Sequence, residues 1–175
     1  GDFKTKQNQY KKIWEKYWLP VFQCWILLCR DPRNDVRTHA MTLLQRALLS
    51  QYLEVLSPEG IQNCFEEVMF PLLQSLLNPF SGVNSEAASV AVEETRVRAQ
   101  QLLSKSLLQY LHQLTQLGDF HTKLWPQILC MIEAYMGADK NGLLKEAIPE
   151  VLKNVLLVML QMNVFHPSNM INGKD

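Results

Sequence analysis

Prolines stand inside three long helical runs of the chain, and each of them follows an aromatic residue closely. The pairs are Trp18 with Pro20, Phe70 with Pro71, and Trp125 with Pro126. Around them, apolar residues recur at spacings of three and four, the period of a helix with one buried side. An internal proline removes one backbone hydrogen bond and bends a helix. The sequence therefore predicts three kinked helices within one all-helical chain.

Each kinked helix is followed by a second helix with a small residue ahead of a leucine-rich face. These small residues are Ala40, Ala99 and Ala147. An alanine at this position lets the paired helix approach closely. A repeated pair of a kinked and a straighter helix is typical of an α-solenoid, in which each hairpin covers its neighbour's apolar face.

The first hairpin carries a more specific pattern. It contains Leu19-Pro20, Asp31-Pro32, Val36-Arg37, Ala40 and Leu44 in this order. In motif and order this resembles the HEAT repeat, and the resemblance implies that Asp31 or Asp35, together with Arg37, hydrogen-bonds within and between repeats. We therefore predict an all-α, HEAT/armadillo-like α-solenoid of about three helical hairpins, stacked with a right-handed turn.

The second and third hairpins keep less of this pattern. The second retains an arginine and an alanine, Arg96 and Ala99, but has a long stretch of small polar residues where a tight turn would be. We predict a single HEAT-like helical domain over residues 1–167, with a long loop at about 79–91. Residues 168–175 are predicted to form a flexible tail.

Composition narrows the classes of function. The 175-residue chain has a formal net charge of zero, so no overall positive field favours nucleic acid as a partner. Polar residues interrupt the apolar runs before the ~20 residues that span a bilayer, and we expect a soluble protein. The four cysteines form no CxxC pair, so we expect buried thiols rather than a metal site or disulfides.

Three groups of sequence strings point to a family. They are 36–38 (VRT) with 43–49 (LLQRALL), then 93–99 (EETRVRA), and finally 146–150 (EAIPE). In these strings the chain resembles the homology-downstream-of-Sec7 (HDS) region of large guanine-nucleotide exchange factors for Arf GTPases. The similarity is to the Golgi-specific brefeldin A-resistance factor subfamily, and it extends over nearly the whole chain.

The resemblance implies a role without catalysis for this part of the sequence. Exchange chemistry in the family resides in a Sec7 domain, which the sequence lacks. We therefore expect a noncatalytic regulatory or targeting domain that acts in Golgi vesicle trafficking and associates peripherally with Golgi membranes from the cytoplasm. Its implied partners are other domains of the exchange factor, small GTPases of the Arf or Rab class, or Golgi lipids. The alternative is a generic HEAT scaffold of another transport or assembly protein.

A lysine-rich segment is the first candidate contact surface. Lys11, Lys12 and Lys16 stand among aromatic residues at the start of the chain, a composition that helices on membrane surfaces use. In the alternative interpretation, the aromatic residues belong to the core and the lysines are only its solvated side. The sequence leaves both interpretations open.

Arginine and glutamate side chains supply the other candidates. Second helices of a solenoid line one wall, where Arg33, Arg37, Arg96 and Arg98 could meet an acidic partner or could instead satisfy turn carbonyls. Glu146 and Glu150 flank an exposed helix start and are our candidate interaction edge. No cofactor site, metal site or catalytic residue is predicted, because the histidines and serines show no spacing that such chemistry needs.

Overall fold

The computed structural model describes residues 2–81 and 85–166, which form three helical hairpins. Hairpin 1 comprises α1 (Asp2–Ile13), a π-helical turn (Trp14–Trp18), α2 (Leu19–Leu28) and α3 (Asn34–Leu48). Hairpin 2 comprises α4 (Pro58–Cys64), a π-helical turn (Phe65–Met69), α5 (Phe70–Leu77) and α6 (Glu86–Leu114). Hairpin 3 comprises a π-helical turn (Phe120–Leu124), α7 (Trp125–Gly137) and α8 (Leu143–Gln161). A short 3₁₀ helix, Gln51–Leu53, joins the first two hairpins, and the described residues contain no strand.

The hairpins stack in one direction and form two layers of helices. In one layer α2 packs on α5 and α5 on α7, and in the other α3 packs on α6 and α6 on α8. This arrangement confirms the predicted all-α solenoid of three hairpins.

One continuous hydrophobic core runs between the two layers. Its most deeply buried large side chains include Phe22, Leu44, Phe65, Leu102 and Tyr135. Burying an apolar side chain of this size contributes ~1.5–3 kcal/mol to folding. Because the core is shared, each hairpin depends on its neighbour for part of this stabilisation.

The three predicted kinks share one backbone geometry. In each, the residue before the proline donates its N–H to the carbonyl five residues earlier: Leu19 to Trp14, Phe70 to Phe65 and Trp125 to Phe120. Proline offers no N–H of its own, and its ring crowds the preceding turn. The wider π-helical turn accommodates the ring while the helix continues.

The loop between α5 and α6 is shorter than the sequence led us to expect. We predicted a loop at about 79–91, but α6 already begins at Glu86, so the end of the predicted loop is helical. The Ser85 hydroxyl caps this helix by accepting a hydrogen bond from the backbone N–H of Ala88 at 3.2 Å. The alanines that follow favour a helix, but this stretch has no apolar periodicity from which a helix could be predicted. The predicted tail, 168–175, lies outside the described residues.

Buried polar contacts tie each hairpin to the next. The Tyr110 hydroxyl donates to the carbonyl of Leu48 at 2.7 Å, and the Tyr135 hydroxyl donates to that of Leu73 at 2.9 Å. Burial raises the pKa of both tyrosines, because the charged form would lose its hydration. Both hydroxyls therefore remain donors at physiological pH and bond a carbonyl of the preceding hairpin.

Glu93 makes a further contact between hairpins. It lies on α6, is almost completely buried, and accepts backbone N–H groups of Lys140 and Asn141 at 2.6 and 3.0 Å. These amides belong to the turn between α7 and α8. The carboxylate therefore holds the turn of hairpin 3 against hairpin 2.

Candidate interaction surfaces

The three candidate lysines lie on the outside of the first helix. Lys11, Lys12 and Lys16 are all exposed. Lys11 forms an exposed ion pair with Glu15 at 3.8 Å, and the Lys16 ammonium lies 5.2 Å from the centre of the Tyr17 ring. An exposed pair of this kind contributes little to stability. These ammonium groups therefore remain accessible to a partner.

Several large side chains near these lysines in the sequence are exposed as well. We define the aromatic stripe as a set of five large side chains whose relative exposures range from 41% to 57%: Tyr10, Ile13, Tyr17, Trp18 and Val21. The alternative interpretation placed the aromatic residues of this segment in the core. The structure does not support that interpretation for the stripe, since only Trp14 among the aromatic residues at 10–18 is buried.

Trp14 anchors this segment to the remainder of the fold. Its indole N–H donates to a carboxylate oxygen of Glu67 at 3.2 Å, and its ring lies 5.4 Å from that of Phe22. An open cleft of about 760 Å³ lies between the first helix and the start of α4. It is lined mainly by apolar groups, including Tyr10, Trp14 and Leu56. Trp14 therefore fixes this segment to the fold, while the members of the stripe stay partly exposed.

The Arg37 side chain is buried and forms its hydrogen bonds inside the protein. Its guanidinium donates to the carbonyls of Asp31 and Pro32 at 2.8 and 2.9 Å, and it also reaches the hydroxyl of Thr95 on α6 at 3.4 Å. Burial lowers its pKa, with a smaller opposing effect from the charge of Asp31. Of the two roles that the sequence left open for Arg37, contact with an acidic partner is contradicted by its burial: it satisfies turn carbonyls of its own hairpin and contacts the next one, as the HEAT resemblance implied.

Arg96 has the same role in the second hairpin. It is buried, and its Nε donates to the carbonyl of Leu76 at 2.8 Å, at the end of α5. The last carbonyls of a helix lack partners within the helix, and the guanidinium supplies a donor. Arg96 is therefore also removed from the candidate partner surface.

Arg33 is exposed but already paired. Its guanidinium donates to both carboxylate oxygens of Asp31 at 2.9 Å. The hydrogen bond from Arg33 lowers the pKa of Asp31 to about 2. The pair fixes the turn before α3, and Asp31 accepts hydrogen bonds from Arg33 and not from the first amides of α3.

Three predicted residues from two different strings meet in one groove. Arg98 of α6 and Glu146 and Glu150 of α8 line an open groove of about 580 Å³. We name this site the α6–α8 groove. Its apolar lining includes Val97 and Ala147. Residues far apart in sequence thus form one surface because α6 and α8 pack side by side.

Three of the four charged side chains that line the α6–α8 groove form no ion pair within the described residues. Glu94 lines it too, and it was not among the predicted residues. Within the described part of the chain, neither Glu94, Arg98 nor Glu146 forms an ion pair, while Glu150 has one exposed pair with Lys153 at 3.7 Å. Glu94 could have been found from the sequence, because it lies four residues before Arg98 on the same helix face. Three carboxylates and one guanidinium around an apolar floor are available to an external partner.

The described cysteines and histidines form no catalytic or metal-binding arrangement. The expectation of buried thiols is wrong for Cys24 and Cys130, which are exposed at the helix surface, and holds for Cys29 and Cys64. Burial raises the pKa of the Cys29 and Cys64 thiols to about 12, so they stay protonated. The His39 ring forms a hydrogen bond with the carbonyl of Asp35 on its own helix at 2.9 Å. Across residues 2–81 and 85–166, no three potential metal ligands lie together, and no helix is long and apolar enough to cross a membrane.

Comparison with protein families gives a match over most of the chain. Residues 18–175 match the family described as the GBF1-like tetratrico peptide repeat region. Tetratricopeptide and HEAT repeats are both helical hairpins that stack into solenoids. No solved structure matches the chain.

Curated relatives agree with this family. The Golgi-specific brefeldin A-resistance guanine nucleotide exchange factor 1 homolog of Caenorhabditis elegans is 42% identical over 153 residues, which are 87% of this chain. The ARF guanine-nucleotide exchange factor GNL1 of Arabidopsis thaliana is 38% identical over 91% of this chain. The ARF guanine-nucleotide exchange factor GNOM of the same plant is 36% identical over 89%. The chain spans only 8% of the first relative and 11% of each of the other two.

Proposed function

Because the chain belongs to the family of GBF1-like tetratrico peptide repeat regions, we propose that it is a noncatalytic domain of a Sec7-type Arf guanine-nucleotide exchange factor. In this proposal it forms one helical domain that regulates and targets the exchange factor in Golgi vesicle trafficking. It acts peripherally at the cytoplasmic face of Golgi membranes. Its family membership supports this interpretation over a generic scaffold of an unrelated transport protein.

The observation that carries the proposal is the α6–α8 groove. Buried charges elsewhere in the fold are engaged internally, as Glu93 is by the α7–α8 turn and Arg96 by the end of α5. The charges of the groove remain exposed around an apolar floor. Exposed charged groups of this kind do not lower folding stability while water solvates them. They contribute to binding when a partner of complementary charge covers them.

The shape of the groove supports binding rather than chemistry. Glu94, Glu146 and Glu150 are all exposed, so each carboxylate is hydrated. Catalytic acids and bases generally lie in enclosed, partly dehydrated clefts, whereas this groove is open. The groove therefore suits contact with another domain of the exchange factor or with the GTPase.

A binding experiment tests the role of the groove. The chain is immobilised and exposed to two candidates, the preceding part of a GBF1-type exchange factor and Arf. We expect one of them to be retained, and the double substitution Glu146→Lys with Glu150→Lys to reduce retention at least tenfold, because like charges then face the partner. The matched control is Glu59→Lys with Glu133→Lys, which changes the net charge equally at exposed positions on α4 and α7.

Two results would contradict the proposal. One is that neither the exchange-factor segment nor Arf is retained by a folded chain. The other is that the control substitutions reduce retention as strongly as those in the groove, since the effect would then follow net charge and not the site.

A further inference from the structure

We propose that the aromatic stripe and its three neighbouring lysines form a docking surface for the anionic face of a lipid bilayer. This inference rests on the proposed function, because it names the membrane contact through which a targeting domain would act. It concerns a different surface from the α6–α8 groove. The two surfaces can therefore be tested separately.

Charge is unevenly distributed along the chain. Between Asp2 and Trp18 the sequence has five lysines and only two acidic residues, which gives this segment a net charge of +3. The whole chain is neutral, so the remaining residues carry −3. A positive end on a neutral protein orients it toward a negative surface, and the attraction falls off within a Debye length.

The apolar part of the surface is large for a protein exposed to water. An aromatic side chain buries about 150–250 Å², so Tyr10, Tyr17 and Trp18 at roughly half exposure present on the order of 300 Å², to which Ile13 and Val21 add. Isolated soluble proteins rarely expose a larger contiguous apolar patch unless it has a binding role. Spacings of three and four between Tyr10, Ile13, Tyr17 and Val21 place these residues along one side of a continuous helix.

The residue types favour a lipid surface over a protein surface. Interfaces between proteins are enriched in arginine and depleted in lysine, yet every basic group in this segment is a lysine. Tyrosine and tryptophan prefer the boundary between lipid headgroups and acyl chains, where a ring lies in apolar surroundings and its polar tip stays hydrated. Tyr10, Tyr17 and Trp18 offer this combination.

The structure also holds the surface in place before binding. Trp14 lies within this segment, donates a hydrogen bond to Glu67 and packs against Phe22. The helix therefore does not have to fold on the membrane, and binding does not carry that ordering cost. A preformed, basic and aromatic helix face lies flat on a bilayer and buries its apolar side chains in the headgroup region.

Vesicle flotation tests this inference with the intact chain. One set of vesicles is pure phosphatidylcholine, and the other contains one-third phosphatidylserine. We expect binding to the acidic vesicles only, and a loss of about fivefold in partition for each lysine neutralised. The triple substitution Lys11→Gln, Lys12→Gln and Lys16→Gln should weaken binding on the order of 100-fold.

A matched control variant distinguishes the effect of these three lysines from the effect of lowering the net charge of the chain. Lys105 on α6, Lys140 in the α7–α8 turn and Lys145 on α8 are exposed, and their replacement by glutamine removes the same charge elsewhere. This control triple should bind acidic vesicles within about twofold of the unmodified chain, because its lysines lie away from the stripe.

Tryptophan fluorescence reports the insertion of the stripe itself. Trp18 is 45% exposed, so its emission should shift to shorter wavelength when it enters the headgroup region. The Trp18→Phe variant should still float with acidic vesicles but lose most of this shift. Retention of the full shift would contradict insertion of the stripe.

Flotation outcomes separate the two proposals. The inference is overturned if the chain does not bind acidic vesicles or binds acidic and pure phosphatidylcholine vesicles equally. It is also overturned if the triple substitution in the first helix and the control triple weaken binding equally. If the groove still retains its protein partner in that case, the proposed function stands and only the lipid surface is excluded. If the chain floats but the groove retains nothing, the lipid surface stands and the proposed protein contact is excluded.

Discussion

Replacement of Arg37 by methionine tests the internal role that the structure assigns to this arginine. The side chain is 3% exposed, and it donates to the carbonyls of Asp31 and Pro32. A hydrogen bond from a charged donor contributes ~1.5–3 kcal/mol, and turn carbonyls regain some water when it is lost. Two bonds at the lower end of this range give a loss of about 3 kcal/mol in the free energy of unfolding.

The assay is urea unfolding followed by circular dichroism. Methionine keeps most of the apolar stem, so the measured loss reports the guanidinium contacts rather than a cavity. For a chain of this size, a loss of about 3 kcal/mol lowers Tm by roughly 6–12 °C. Lysine at the same position keeps the charge but has a single nitrogen, so it cannot replace the three guanidinium nitrogens that contact the two carbonyls, Asn34 and Thr95, and it should lose an intermediate amount.

Arg33→Met is the matched control, because Arg33 is the same residue type four positions away. Its pair with Asp31 is exposed, and such pairs contribute at most ~1 kcal/mol. We therefore expect Arg33→Met to cost far less than Arg37→Met. Equal losses from the two variants, or a loss below about 1 kcal/mol for Arg37→Met, would refute the internal role.

Three further predictions concern single polar groups. Tyr135→Phe removes a buried hydrogen bond to the carbonyl of Leu73 and should lower the free energy of unfolding by ~1–3 kcal/mol. Urea unfolding measures this loss, and an unchanged free energy would show that the bond does not stabilise the fold. Glu93→Gln should accelerate hydrogen exchange at the backbone amides of the α7–α8 turn, and unchanged protection there would contradict its role as their acceptor. Asp31 has a folded pKa of about 2, below its unfolded value of ~3.9, so its contribution to stability is present above pH ~4 and is lost as the pH falls toward 2. Arg33→Gln should therefore reduce the fall of the urea midpoint between pH ~4 and pH 2. An identical fall in the variant and the unmodified chain would contradict the role of the Arg33–Asp31 pair.

Much of the fold could be predicted because its signals are local. The spacing of apolar residues gave the helices, and prolines after aromatic residues located the three bends. The start of α6 was missed because residues 85–91 are small and polar and show no apolar period. A serine cap and the helix propensity of alanine determine the structure there, and both are weak signals in a sequence.

The candidate surfaces could be predicted only in part. Arg96 and Arg98 are two residues apart and point to different sides of α6, so one is buried and the other exposed. The sequence could show that they differ, but not which of them faces the end of α5. Exposure of Tyr10 and Tyr17 likewise depends on which helices pack beside them, which is a property of the tertiary structure.

Nucleotide exchange tests most directly whether this chain works by contact and not by chemistry. GDP release from Arf is measured with the chain alone and with a GBF1-type exchange factor that carries the chain in its matched region. We predict no acceleration by the chain alone, and a changed rate in the full factor when Glu146 and Glu150 are replaced by lysine. Acceleration of GDP release by the isolated chain, or an unchanged rate in the substituted factor, would contradict this prediction.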